Sequence, residues 1–142
     1  MASSAVDEPL PSNTTPPFPS LSLPLETPRW TLSSLYNIWR FTLLWTLILY
    51  GLFHMGAAAI ALLMQAGNTK SRSSWKYLWM VPLVYAFVAG VEALLAGSVV
   101  GLIVGASYRA GGFTMSTWIP FIWGWVNVMV LLVSSFRIMG GL

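Results

Sequence analysis

The chain contains no cysteine and one histidine, and only 8% of its 142 residues are charged. Without thiols there can be no disulfide, no zinc–thiolate centre and no thiol nucleophile. A soluble domain of this size carries roughly a quarter charged residues. With so few charges the chain could not clothe a water-facing surface, so lipid is the expected solvent. Seven basic residues against four acidic ones give a formal charge of +3, spread along the chain instead of gathered on one face. That pattern gives nucleic-acid binding no support. No Ser–His–Asp set, metal-ligand cluster or phosphate-cradling glycine loop is present, and His54 has no second base. Nothing therefore points to catalysis, a metal or a cofactor.

What is present is apolar length. Hydrophobic residues make up 56% of the chain and its mean hydropathy is +0.72. Runs of about 20 apolar residues mark membrane helices. They predict an all-α integral membrane protein with three transmembrane helices after a disordered, Pro-rich N-terminal tail. The tail covers 1–29 and holds seven of the nine prolines, which deny it backbone donors and apolar surface to bury. "PPFP" at 16–19 is read as part of that tail before it is read as a polyproline ligand. An interfacial lead-in segment spans 30–40, with Thr31 or Ser33 as a candidate helix cap. Transmembrane helices follow at 41–66, 78–108 and 118–138, joined by a basic loop at 67–77 and a second loop at 109–117. Pro82 and Pro120 fall near helix starts, where a missing N–H costs little.

Arg109, Trp118 and Arg137 sit at span ends and suit interfacial anchoring. Lys70, Arg72 and Lys76 in the first loop, with Arg137, outnumber Arg29, Arg40 and Arg109 on the other side. The positive-inside rule then expects the first loop and C-terminus in the cytosol and the N-tail in the lumen. A lumenal tail would make the sequon at Asn13 usable for glycosylation.

The second span carries two features that do not help a helix sit in lipid. Every fourth residue is small: Ala89, Ala93, Gly97, Gly101 and Gly105. Residues four apart share a helix face, so these form a ridge containing a doubled GxxxG, along which another helix can approach closely. Its partner could be span one, span three, a second copy or another protein. Beside the ridge stands Glu92, whose ionised form is costly inside a bilayer. Counted from the first-loop end of each span, His54 and Glu92 fall at similar depth, so they form a candidate intramembrane polar pair. Tyr85, Asn127, Ser134 and Ser135 could extend it. Such a pair could serve as a proton or cation site, or as interhelical hydrogen bonding. One acid and one histidine without a third ionisable group favour the latter.

The chain also resembles the transmembrane protein 170 family over roughly 33–142. "SLYNIW" at 34–39, "LW" at 44–45 and "LFHMGAA" at 52–58 follow that family's first span. More specific are "YRAGG" at 108–112, "IPF" at 119–121 and "VLLVSSFRI" at 130–138. The resemblance implies a three-span protein of the endoplasmic reticulum and nuclear envelope with a role in membrane organisation and not in catalysis. Together these features lead to a small non-enzymatic membrane protein. It would contact the lipid bilayer and assemble with other membrane proteins or itself. The alternative is a small proton- or cation-coupled transporter or channel subunit using Glu92 and His54.

Overall fold

The computed structural model describes residues 16–21, 31–66 and 80–138. The basic first loop, Asn13 and the side chain of Arg137 lie outside the described residues.

A two-residue strand, β1 (Thr31–Leu32), precedes helix α1 (Leu35–Ala66). Helix α2 (Met80–Gly111) runs back, and strand β2 (Met115–Ser116) leads into helix α3 (Trp118–Ile138). Each helix holds a segment long and apolar enough to cross a bilayer: Leu35–Met64, Pro82–Gly111 and Trp118–Phe136. Their apolar surface points mostly outward, with only 11%, 28% and 22% of an 18-residue apolar stretch of each buried within the bundle. A water-soluble bundle turns its apolar stripe inward. Here Leu52, Phe87, Leu95 and Phe136 are among the most exposed side chains, which is tolerable only against lipid tails.

The ends of the helices follow from local chemistry. The Ile38 N–H donates to the Ser34 carbonyl at 3.1 Å, so Ser34, and not Thr31 or Ser33, occupies the cap position of α1. Thr31 is drawn into β1, opposite Ser116 in an antiparallel pair. The helix thus begins inside the predicted lead-in segment, without a break at Phe41. At the far end of α2, Phe113 N–H donates to the Tyr108 carbonyl and Gly112 N–H to that of Arg109. This pair of bonds needs a left-handed residue, and Gly112 supplies it at φ +66°. Pro82 and Pro120 both fall in a first turn, where no intrahelical bond is lost.

Helix α1 is the centre of the bundle, with α2 and α3 both packed on it and touching each other less. Two cores result. One joins Leu49 and Tyr50 of α1 to Ala89 and Ala93 of α2 and Val128 of α3. The other closes the end where α1 begins, gathering Leu32, Ile38, Phe41, Val104 and Met115. Part of the predicted tail joins this closed end. Phe18 packs edge-on against Phe41, ring centroids 5.5 Å apart, and lies 5.1 Å from Trp45. The Thr117 hydroxyl donates to the Ser20 carbonyl at 2.8 Å, tying the same segment to the second loop.

The polar seam between the helices

The seam begins with spacing. Along α1, Ile38, Thr42, Thr46, Tyr50 and His54 recur every fourth residue and so share one face. The Thr42 hydroxyl donates to the Ile38 carbonyl at 2.9 Å, and that of Thr46 to the Thr42 carbonyl at 2.8 Å. Folding each hydroxyl back on its own helix satisfies a donor that lipid could not, and leaves a smooth, narrow surface. Both threonines are fully buried.

The small-residue ridge of α2 lies on this surface. All five members, Ala89, Ala93, Gly97, Gly101 and Gly105, are buried. A Cβ placed on Gly97 would stand 3.2 Å from the Leu43 Cα and 3.2 Å from the Thr46 Cβ. One on Gly101 would stand 3.2 Å from both the Cα and the carbonyl oxygen of Trp39. One on Gly105 would meet Ile38 Cγ2 at 3.4 Å. The ridge partner is therefore α1 of the same chain. At Gly97 and Gly101 glycine is required because the neighbour is backbone, which cannot move aside as a flexible side chain can; Gly105 meets the side chains of Leu35 and Ile38. Helix α3 uses the same device from the other flank: a Cβ on Gly124 would lie 3.0 Å from the Trp45 Cβ. There the Asn127 amide donates to the Thr46 hydroxyl oxygen at 3.0 Å, linking α3 to the ladder.

Glu92 and His54 do not bond to each other. The Tyr50 hydroxyl donates to the Glu92 carboxylate at 2.7 Å, and His54 Nδ1 donates to the Tyr50 carbonyl at 3.1 Å. A carbonyl only accepts, so Nδ1 carries the proton. The two ionisable groups thus meet at one tyrosine. The reason is register. With Gly105 opposite Ile38, Gly101 opposite Thr42 and Gly97 opposite Thr46, continuing the ladder sets Ala89, and not Glu92, level with His54. Of the groups expected to extend the network, Tyr85 stacks on His54 with ring centroids 5.8 Å apart. Asn127 belongs to the Thr46 bond, Ser135 donates to its own Leu131 carbonyl at 3.0 Å, and Ser134 is exposed. Tyr50 and the two threonines carry the seam, although none of the three is among the residues expected to form it. The four-residue spacing of Thr42, Thr46, Tyr50 and His54 is the signal that marks them.

Arg109 lies exposed in the last turn of α2, and Trp118 opens α3 with its ring edge-on to Phe121 at 5.9 Å. Among the described residues no three of His, Cys, Asp or Glu come together as metal ligands would.

Three apolar helices fastened by small-residue contacts and a few internal hydrogen bonds define a small multi-pass integral membrane protein. The chain belongs to the transmembrane protein 170A/B-like family, whose profile matches residues 31–142. It is also similar to the uncharacterized protein YPR153W of Saccharomyces cerevisiae (strain ATCC 204508 / S288c), 36% identical over 129 residues covering 89% of this chain and 87% of the relative. No solved structure matches it.

Proposed function

We propose that the chain is a non-enzymatic protein of the endoplasmic reticulum and nuclear envelope that contributes to membrane organisation or to a membrane complex. The observation that carries this reading is where the ridge goes. Its glycines are filled by α1, so the three helices form a self-contained unit and other molecules meet its outward apolar faces. The side chains capable of chemistry support the same reading, because Tyr50, Glu92 and Asn127 make bonds between helices, while His54 bonds back to the Tyr50 carbonyl of its own helix. Contacts with other membrane proteins or with a second copy then fall on surfaces such as Leu83, Phe87 and Leu94 of α2. The first loop and C-terminus face the cytosol in this reading, the N-tail and its Asn13 sequon face the lumen, and Arg109, Trp118 and Arg137 hold the span ends at the interface.

The test is depletion of the protein combined with imaging of the tagged full chain. Residence with an endoplasmic reticulum and nuclear envelope marker is expected, together with altered membrane shape on depletion. Residence in another membrane, or unchanged membrane shape with no stoichiometric partner on capture in mild detergent, would overturn the proposal.

A further inference from the structure

Glu92 stands on the outside of the bundle, where its side chain is exposed. Tyr50 is fully buried and holds Oε2 from within at 2.7 Å, while Oε1 has no partner among the described residues. Exposed apolar side chains flank the acid on the same face of α2: Val88 before it, Leu95 and Val99 after it. Leu83, Phe87 and Leu94 lie on the other side of that helix.

Depth decides what can reach the carboxylate. The apolar segment of α2 begins at Pro82. At about 1.5 Å per residue Glu92 lies about 15 Å further in, near the middle of a ~30 Å hydrocarbon core. Cationic lipid headgroups stay at the surface and do not reach it. Acids at such depth pair with an opposite charge or a donor on a neighbouring helix. Among the described residues the chain supplies no such charge. Arg40 and Arg109 lie towards the closed end, about 15 Å or more from Tyr50 and Glu92 along their helices. Val128 packs beside Tyr50, which puts Arg137 about 14 Å away in the other direction. His54 gives its Nδ1 proton to the Tyr50 carbonyl. A second copy in the same orientation carries its arginines at the same depths and would bring one Glu92 towards another. An exposed acid among apolar neighbours is complementary to a different helix, one with a cation at its centre.

We propose that the Glu92 face of α2 docks a partner transmembrane helix bearing an arginine or lysine near its middle. The basic group pairs with the carboxylate from outside while Tyr50 holds it from inside, and the partner's apolar side chains cover Val88, Leu95 and Val99. Such docking rests on the protein's working within a membrane complex, and it names the class of partner.

The full-length chain is reconstituted in phosphatidylcholine vesicles with a dansyl-labelled, tryptophan-free transmembrane peptide of leucine and alanine. Energy transfer from the chain's tryptophans reads association. A central arginine, charged at any working pH, should strengthen association about tenfold over a central leucine. Glu92→Gln, which keeps an acceptor for Tyr50, should bring the arginine peptide down to the level of the leucine peptide. With the wild-type chain, moving the arginine two turns towards either end should do the same. Equal association of the arginine and leucine peptides would overturn the proposal, as would a preference that survives Glu92→Gln or the displaced arginine. So would a central glutamine that binds as well as arginine, or transfer between two labelled copies of the chain that Glu92→Gln abolishes. Association with a defined helix is read apart from organelle residence and membrane shape, so this docking and the wider function can fail separately.

Discussion

The Tyr50 hydroxyl reaches 2.7 Å across the seam from α1 to the Glu92 carboxylate of α2, and it is the hydrogen bond by which these two helices hold the chain's intramembrane acid. Glu92 is otherwise exposed at the bundle surface, and Tyr50 is its one hydrogen-bond donor among the described residues. Removing that donor leaves the acid without a partner among the described residues, which is costly in lipid.

Tyr50→Phe should therefore destabilise the bundle by about 1 kcal/mol, the scale of interhelical hydrogen bonds in membranes. The same change in a Glu92→Leu background should cost clearly less. A double-mutant cycle on unfolding in mixed micelles reads the difference. Additive effects would show that the two side chains do not interact.

Glu92→Gln keeps an oxygen that can accept from Tyr50 and removes the charge. It should leave stability within about 0.5 kcal/mol of wild type, as for substitutions that preserve their contacts. Proteoliposomes of wild type and of this variant are both expected to show no proton-coupled flux. Flux in wild type that disappears in this variant would restore the transport reading.

The glycines divide into two groups. Gly101→Leu drives a side chain into the Trp39 backbone and should cost about 1–3 kcal/mol or more, as overpacking does. Gly90→Leu meets open space and should be close to neutral, or slightly stabilising because leucine is the better helix former. Thermal unfolding followed by size-exclusion chromatography distinguishes the two. Equal losses would mean that the ridge does not pack as described.

Asn127→Leu removes the bond to Thr46 and leaves a fully buried hydroxyl oxygen without its donor from α3. A loss of about 1 kcal/mol is expected. Because α3 meets α1 more than α2, protease access should rise in α3 and the second loop first. Uniform protection across the chain would contradict this.

Much of this was legible in the sequence. Hydropathy marks the three spans because lipid imposes length and apolarity on every residue of a crossing helix. The ridge was visible because five small residues at a spacing of four put one bare, closely approachable face on an apolar helix. Its partner was not, since GxxxG states how closely a helix can be approached and not by what. The polar pair shows why depth counting falls short. Measured from the first loop, His54 and Glu92 match. The register, however, is set by glycines at the opposite end, where backbone contact tolerates no slip, and it displaces α2 by about one turn. Phe18 could not be read as ordered, because its neighbours are prolines and the rings that hold it belong to α1.

The absence of cysteine makes the central claim, that α2 lays its glycine ridge on α1 of the same molecule, directly testable. A Cβ on Gly105 would lie 3.6 Å from that of Ile38, within the spacing a disulfide accepts. Ile38→Cys combined with Gly105→Cys, oxidised in membranes and cut by trypsin in the basic first loop, should leave two fragments joined until reductant is added. Gly105→Cys alone should give no dimer. Fragments that separate without reductant, or a disulfide-linked dimer from the single variant, would show that the ridge faces another molecule.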